Sequence, residues 1–419
     1  MSGFDESDFD RVSQLIARTE KDPKSDSFDS FEARLVRQDG KDCLYDCVVS
    51  GIIFAGEDPH IISGNIYIEN GIIQEIEERP VNSKNWIVPR FINTHTHIGD
   101  SFLKDPALGV PNGHVVEKNL DALVRPPNGL KHQMLAQIGF EESVEFMESA
   151  VWELFQNGIG VFADFRESGL EGSVALLKAV QNTGKDIFPF VFGRPQNLSC
   201  SRSPDSKGHS MDDFFTEIRD ILEVADGIGL SGANDMDEYV LTKIASKTKM
   251  KRKKLAIHAG EKDASDIEAA LSLSPGLLIH MTHAGGNELQ KTADKNIPIS
   301  ICVRSNLTTG VGLPPVLKML DQEICVSIGT DNMMLNSPDM FEEMHFLSRL
   351  YGLSDSTVFK MATSNGAKAL GCRFTGSIEA GKKADMLVLN SKSLNLKNIK
   401  DPLAGFVRRA GKDDILGIV

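Results

Sequence analysis

Short apolar stretches rich in β-branched residues recur through the middle of the chain, separated by longer stretches with helical periodicity. Their hydrophobic positions are continuous, whereas a strand exposed on one face would alternate polar and apolar residues. The stretches occupy residues 86–94, 160–165, 187–192, 227–230, 255–257, 277–279, 299–303 and 324–328. Strand and helix alternating eight times is the pattern of a (β/α)8 barrel, so we predict this TIM-type α/β fold for residues 89–370.

Shorter runs separated by Gly and Asn turns flank this region at both ends of the chain. They lie at residues 48–54, 64–69 and 71–76, and again at 376–389 and 401–407. Runs of this kind, bounded by turn residues, indicate antiparallel strands. We therefore predict one small β-sandwich domain formed from residues 31–88 and 371–419. The apolar spacing of Phe9, Val12, Leu15 and Ile16 predicts a helical extension over residues 1–30.

Composition excludes several classes of function. The 419 residues are 41% hydrophobic and 25% charged, with a formal net charge of −14. This charge disfavours nucleic acid and anionic membranes, so the expected partner is a small-molecule substrate, and a homo-oligomer stays open. No apolar run approaches the ~20 residues that cross a bilayer, and residues 1–30 lack a signal-peptide pattern. The scattered cysteines indicate reduced thiols, so we expect a cytoplasmic protein.

Side chains with metal-binding chemistry stand where several predicted strands end. In a barrel these carboxyl ends meet at one face and form the active site. Residues i and i+2 of a strand share a face, so His95 and His97 can hold one cation together. His258 adds a third imidazole, and Asp331 adds a carboxylate that can also accept a proton from bound water. This set suits one divalent metal, with zinc first and ferrous iron or manganese as substitutes.

Glu261 is the candidate general acid/base. It follows His258 by three residues, beyond a glycine that permits a turn, and a partly buried carboxylate with a raised pKa can shuttle protons. The competing interpretation is an exposed acidic residue at a helix N-terminus. The pair His95 and His97 has a similar alternative, two histidines on a polar face. His280 and His283 compete for polarising the substrate or the bound water, and the residues alone leave them tied.

Five segments resemble motifs of one enzyme superfamily. They are residues 88–97 (VPRFINTHTH), 258–261 (HAGE), 302–306 (CVRSN), 329–331 (GTD) and 376–385 (GSIEAGKKAD). Together, over residues 43–410, the chain resembles the amidohydrolase superfamily, in particular its cytosine, guanine and adenosine deaminase and triazine chlorohydrolase branch. Two residues depart from the family pattern, Arg90 in place of Gly and Val303 in place of Pro. These departures bear on the choice of subfamily and not on the superfamily.

The resemblance implies a metal-dependent hydrolase that acts on C–N bonds other than peptide bonds and releases ammonia from a purine, a pyrimidine or a nucleoside. It implies one metal, because binuclear members carry a bridging Lys, Glu or Cys on the fourth strand and residues 227–234 contain none. The family spacing before the Cys-x-x-Ser-Asn segment selects His280 over His283. The implied metal ligands are His95, His97, His258 and Asp331, and the implied catalytic residues are Glu261, His280 and Asp331.

Two other functions stay open at this point. The first is a cyclic amide hydrolase or chlorohydrolase of the same superfamily. Glu261 favours deamination over these reactions, because a ring nitrogen and departing ammonia need a proton shuttle most. The second is a barrel that binds a metabolite without turning it over, which predicts an incomplete set of ligands. Residues 99–137 are a candidate lid. Asp100, Arg194, Arg304 and Asn306 lie near strand ends and are undecided between substrate contact and structural pairing.

Overall fold

The chain alternates strands and helices through most of its length. The computed structural model describes residues 47–105, 119–125, 129–196 and 211–419. The strands in these ranges are β1 (Cys47–Ala55), β2 (His60–Glu69), β3 (Ile72–Glu78), β4 (Trp86–Pro89), β5 (Phe91–His97), β6 (Ile159–Arg166), β7 (Phe188–Gly193), β8 (Gly227–Leu230), β9 (Lys254–Ala259), β10 (Leu277–His280), β11 (Ile299–Ile301), β12 (Val326–Ile328), β13 (Asp331–Asn332), β14 (Met386–Leu389) and β15 (Ile415–Ile418).

The helices follow the strands in the order expected of a barrel. Those in the described ranges are α1 (Leu120–Leu123), α2 (Leu130–Leu135), α3 (Phe140–Gln156), α4 (Gly169–Thr183), α5 (Met211–Val224), α6 (Glu238–Met250), α7 (Ile267–Ser272), α8 (Gly286–Asp294), α9 (Val303–Thr309), α10 (Val316–Asp321), α11 (Met340–Tyr351), α12 (Asp355–Ala362), α13 (Ser364–Leu370) and α14 (Pro402–Arg408), with short 3-10 turns at Ile98–Asp100, Ala233–Asp235 and Lys412–Asp414. None of them is long and apolar enough to span a bilayer.

Strands β5 to β13 form one parallel sheet that closes on itself. Each strand from β5 to β11 pairs in parallel with the next along the chain. Only two residues separate β12 from β13 in the chain. β12 pairs with β11, whereas β13 pairs with β5, and Asp331 there lies opposite Thr96. The eighth strand therefore bridges both ends of the sheet, and the predicted (β/α)8 barrel is confirmed.

Burial explains why these segments are strands and why helices cover them. Every residue of β5, β6, β8 and β10 is buried, as expected for parallel strands covered on both faces. The helices are instead apolar on one side. In α3 the buried positions include Val144, Met147, Val151 and Leu154, spaced three or four residues apart so that they share one face.

A second sheet joins the two ends of the chain. Its strand order is β15-β14-β4-β1-β2-β3, and hydrogen bonds unite the strands in one six-stranded sheet where we expected a sandwich. Ile53, Ile66, Ile87 and Met386 form part of its buried core. The boundaries predicted for the two domains stay predictions, and the helical extension predicted for residues 1–30 lies outside the described residues.

The predicted first strand, residues 86–94, is divided between the two sheets. β4 pairs with β14 in the small sheet, whereas β5 begins the barrel, and Arg90 lies between them. The Arg90 guanidinium is buried, where it donates to Asp385 Oδ1 at 3.2 Å and to the carbonyl oxygen of Asp186 at 2.6 Å. This arginine therefore joins the barrel to the small sheet, which accounts for its departure from the glycine of the resembling motif.

The strand predicted at residues 401–407 is wrong, because Pro402–Arg408 is the helix α14. The Asp401 carboxylate accepts hydrogen bonds from the backbone N–H groups of Leu403 and Ala404, at 3.0 and 3.2 Å. Pro402 follows at the first helical position, where its missing N–H costs nothing. A helix start signal was thus present in the sequence but was outweighed by the apolar residues that follow it.

Candidate metal centre and pocket

The four predicted metal ligands meet at the carboxyl ends of the barrel strands. His95 Nε2 lies 3.1 Å from Asp331 Oδ1, and His97 Nε2 lies 3.5 Å from the same oxygen. His258 Nε2 lies 3.2 Å from His95 Nε2. All four side chains are buried. Strand pairing accounts for this convergence, since β5 carries His95 and His97 beside Asp331 on β13.

The outer nitrogens of two of these histidines fix the imidazole orientation. His97 Nδ1 donates to the carbonyl oxygen of Phe165 at 3.1 Å, and His258 Nδ1 donates to that of Leu230 at 2.8 Å. With the proton at Nδ1, each Nε2 presents a lone pair inward, the tautomer that metal-binding histidines adopt. Burial, with the nearby Lys131 charge, lowers the pKa of His97 to about 3, and burial holds that of His258 well below its usual value. Inward lone pairs on neutral imidazoles, facing one carboxylate, fit a divalent cation.

Asp331 is held from several directions. Its backbone lies in the left-handed region, with φ 64°, which is unusual for a residue other than glycine. Ser305 Oγ donates to Oδ2 at 2.6 Å, and Asn332 Nδ2 donates to Oδ1 at 2.9 Å. Oδ1 therefore faces His95 and His97, while Oδ2 faces His280, whose Nε2 lies 4.0 Å away. One carboxylate thus borders both the ligand cluster and the adjoining pocket.

Glu261 reaches the pocket because the chain turns sharply before it. Gly260 has φ +61°, and a Cβ added there would lie 2.7 Å from the end of the Ile267 side chain, so this turn favours glycine. Glu261 Oε1 lies 3.5 Å from His280 Nε2. Burial, assisted by the negative charges of Asp331 and Asp266, raises the pKa of Glu261 well above its usual value. Its carboxyl group therefore keeps a proton at a pH where an exposed glutamate has lost it.

The structure separates the two histidines that the sequence left tied. His283 is exposed, whereas His280 is buried at the pocket with a left-handed backbone, φ 69°. Asn306 Nδ2 donates to Thr282 Oγ1 at 2.8 Å, which turns its Oδ1 toward His280 Nδ1 at 3.1 Å. His280 Nδ1 therefore donates, and the Nε2 lone pair faces Glu261 and Asp331. Asn306, undecided in the sequence, orients this imidazole.

The pocket extends from these side chains to the rim formed by α1 and α2. Its described lining is mixed in charge, with acidic and basic residues both present. The basic members are Arg125, Lys131, His132, Arg194 and Lys262. Arg125 and Lys262 both pair with Asp121, whereas no residue of the described ranges pairs with the Arg194 guanidinium. Arg194 lies within the electrostatic influence of Glu167 and Asp235 and lines the pocket.

The remaining undecided residues have structural partners. Arg304 Nε donates to Glu343 at 2.7 Å, and its Nη1 pairs with Glu342, so this side chain ties α9 to α11. Asp100 Oδ2 lies 3.3 Å from Lys131 Nζ, below the pocket floor. Residues 99–137, the predicted lid, are described only in part. Within that part, α1 and α2 contribute Leu120 and Lys131 to the pocket wall.

Sequence reasoning missed Lys131 and Glu167. Glu167 Oε1 lies 3.2 Å from His97 Nδ1 and 2.6 Å from Lys131 Nζ, and both side chains are buried. The signal available for Glu167 was its place directly after the apolar strand β6, beside Arg166. No comparable signal marked Lys131, because lysine is almost always exposed and this one follows no predicted strand.

Comparisons with known proteins agree with this geometry. The amidohydrolase family model matches residues 86–416. An uncharacterised protein of Methanocaldococcus jannaschii is 36% identical over 386 residues, covering 86% of this chain and 94% of that protein. A protein of Methanosarcina mazei named 5'-deoxyadenosine deaminase is 25% identical over 416 residues, covering 89% of this chain and 90% of that protein. The structure of an adenosine deaminase from Xanthomonas campestris with bound zinc has a TM-score of 0.71 at 17% identity, covering 89% of this chain and 91% of that one.

Proposed function

Since the chain belongs to the amidohydrolase family, we propose that it is a single-metal hydrolytic deaminase of an aminated nitrogen heterocycle. The observation that carries this proposal is the position of Glu261, a half-buried carboxyl group with a raised pKa, 3.5 Å from His280 and beside the ligand cluster. Deamination needs a group that protonates a ring nitrogen and the departing ammonia, and a carboxyl group that keeps its proton can do so.

His95, His97, His258 and Asp331 are the residues that would hold the metal. Three inward imidazole nitrogens and one carboxylate form a donor set suited to zinc, which we propose as the native ion. When bound, such an ion lowers the pKa of a water molecule toward neutrality and so supplies a nucleophile. Bridging Lys, Glu and Cys are all missing from residues 227–234, in keeping with a single ion.

The remaining residues divide the proton transfers. Asp331 Oδ2 and the lone pair of His280 Nε2, 4.0 Å apart, face the space where an attacking water would lie, and both can accept its hydrogen. Asn306 keeps His280 in the accepting tautomer. Glu261, on the pocket side of His280, delivers a proton to the ring nitrogen as the carbon–oxygen bond forms. The Glu261 carboxylate, 3.5 Å from His280 Nε2, then regains the proton that His280 took from water and passes it to the amino group, which leaves as ammonia. The new hydroxyl group loses its proton to Glu261 as the product carbonyl forms, which restores the acid.

Adenine nucleosides are the substrates that we propose first. The M. mazei relative named 5'-deoxyadenosine deaminase matches this chain along most of both sequences. The pocket offers further polar groups besides the ligand cluster, including Arg194 after β7 and Ser231, Asn234 and Asp235 after β8. A bare base needs few of these groups, whereas a sugar and its 5' substituent supply hydroxyl and other polar groups that they can bind.

The test is ammonia release by the zinc-loaded protein. We expect release from adenosine, 5'-deoxyadenosine or a 5'-thio-substituted adenosine in preference to adenine, guanine and cytosine, measured by a coupled ammonia assay. The corresponding 6-chloropurine nucleoside serves as the comparison substrate. Chloride release without ammonia release from any amine would instead favour the chlorohydrolase alternative. Zinc binding without turnover of any compound would favour a protein that only binds its ligand.

A further inference from the structure

A cluster of buried charges adjoins the pocket and contacts His97, and two of its members, Lys131 and Glu167, line the pocket. It contains the cations Lys131 and Arg166 and the carboxylates of Asp100, Asp164 and Glu167, all of them buried. Arg166 lies against Asp164, with 3.5 Å between Nη1 and Oδ2, and against Glu167, with 2.5 Å between Nη2 and Oε2. Gly99 makes room for it, because a Cβ there would lie 1.9 Å from the guanidinium. Arg166 therefore forms ion pairs only with members of the cluster among the described residues, whereas Lys131 connects the cluster to the rest of the site.

Lys131 Nζ contacts three groups in three different segments. It lies 2.6 Å from Glu167 Oε1 after β6, 3.3 Å from Asp100 Oδ2 after β5, and 3.0 Å from Asn332 Oδ1 on β13. The contact with Asn332 is a hydrogen bond, and the contacts with Glu167 and Asp100 are ion pairs. The side chain enters from α2 at the pocket rim and ends below it.

Two of these contacts lead directly to proposed metal ligands. Glu167 Oε1, which accepts from Lys131, also lies 3.2 Å from His97 Nδ1. Asn332 Oδ1 accepts from Lys131, which turns the amide so that Nδ2 donates to Asp331 Oδ1 at 2.9 Å. Without the lysine, the Asn332 amide would be free to flip and present an oxygen to the Asp331 carboxylate. Lys131 therefore acts on His97 and on Asp331 through one intermediate residue each.

We propose that Lys131 is a positioning residue, which holds His97 and Asp331 in the geometry of the metal site and couples that geometry to the pocket rim at α2. This inference rests on the proposed function only in taking His97 and Asp331 as ligands. Outer contacts of this kind orient metal ligands, and their loss typically weakens metal binding by about 10- to 100-fold. Lys131→Met should therefore weaken zinc binding by a factor in that range.

The experiment measures zinc affinity by chelator competition, and the visible spectrum of the cobalt-substituted protein, for wild type, Lys131→Met and Lys254→Met. Lys254 is the matched control, a half-buried lysine at the opposite end of β9 that donates to the Ala369 carbonyl oxygen. We expect Lys131→Met alone to lose affinity and to change the cobalt spectrum, because coordination geometry determines those bands. Unchanged affinity and spectrum in Lys131→Met would overturn the proposal.

A double variant covers the case in which unpaired buried carboxylates prevent Lys131→Met from folding. Lys131→Met/Glu167→Gln removes one charge of each sign, and Arg166 keeps Asp164 as its partner. This variant should also bind zinc more weakly than wild type, and wild-type affinity would contradict the positioning role. Wild-type protein that binds zinc without releasing ammonia would defeat the proposed function and leave the affinity comparison intact. Wild-type protein that binds no divalent metal would overturn both.

Discussion

The two ends of the barrel both contain buried charges, but they use them differently. At the amino end, Arg90 is enclosed, and its guanidinium is directed at Asp385 and at the carbonyl oxygens of Asp186 and Ile159. At the carboxyl end, Glu261 and His280 border a pocket. Burial and pairing are common to both ends and do not identify a functional site. What distinguishes the carboxyl end is that its polar groups converge on open space.

Backbone conformation differs in the same way. His280, Met281 and Asp331 at the carboxyl end all have positive φ, between 51° and 69°. Residues other than glycine adopt this region at some cost, and such positions concentrate at active sites. Arg90 and Asp385 at the amino end have no such conformation among the described positive-φ residues. Positive φ also occurs at the amino end, at Arg252, Ser274, Asn296 and Glu323, but these are exposed residues two positions after a helix. His280, Met281 and Asp331 are buried, so at the carboxyl end this conformation places side chains inside the barrel.

The largest effect on activity should come from removing a metal ligand. His258→Ala takes away one of three imidazole donors, so we expect bound zinc to fall from about one ion per chain to near zero and ammonia release to be lost. Metal analysis of the purified variant checks this. Full zinc content in His258→Ala would show that the histidine cluster is not the metal centre.

Glu261→Gln should separate catalysis from metal binding. The amide keeps the shape of the side chain but cannot deliver a proton, so we expect kcat to fall by about 10²- to 10⁴-fold. Zinc content should stay at the wild-type value, because Glu261 is not among the proposed ligands. Steady-state kinetics with metal analysis on the same sample tests both statements. Wild-type kcat in this variant would remove Glu261 from the mechanism.

The pH dependence follows from the raised pKa of Glu261. The proposed role requires the protonated acid, which burial preserves to a higher pH than usual, so activity should decline as pH rises through that pKa. The decline should form the alkaline limb of kcat/KM in the wild type and be missing from the residual activity of Glu261→Gln. An alkaline limb that persists unchanged in the variant would assign it to another group.

The amino end should respond in stability rather than in activity. Arg90→Met leaves Asp385 buried without its partner, and breaking a buried pair costs about 3–5 kcal/mol of unfolding free energy. Lys104→Met, which removes an exposed pair with Glu153, should cost less than about 1 kcal/mol. Denaturant unfolding measures both variants. We expect kcat of folded Arg90→Met to match wild type, and a selective loss of kcat would contradict the division between the two ends.

The smallest effect is expected at His283. Its side chain is exposed, although its backbone N–H donates to the Gly260 carbonyl oxygen beside Glu261 at 2.9 Å. His283→Ala keeps that backbone contact, so kcat and KM should stay within about twofold of wild type, as surface substitutions away from special features usually do. His280→Ala is the matched comparison and should lose most of its activity. Equal losses in the two variants would reopen the choice between them.

Periodicity predicted the barrel, and strand-end chemistry predicted which side chains meet at its carboxyl end. Buried parallel strands are recognisable as continuous apolar runs, and their carboxyl ends meet at one face of a barrel. The sequence alone therefore predicted that His95, His97, His258 and Asp331 lie close together. The helix that begins at Pro402 was not predicted, although Asp401 as N-cap and Pro402 at the first helical position are a helix start signal. Lys131 was beyond prediction, because its burial depends on three partners from three segments that are distant in sequence.

The central claim is that the carboxyl end of the barrel holds one catalytic metal ion. Anomalous diffraction at the zinc absorption edge, from crystals of the zinc-loaded protein, tests it most directly. We predict a single peak about 2.0–2.2 Å from Nε2 of His95, His97 and His258 and from an Asp331 oxygen. A peak elsewhere, two adjacent peaks, or no peak at this site in zinc-loaded crystals would contradict the account.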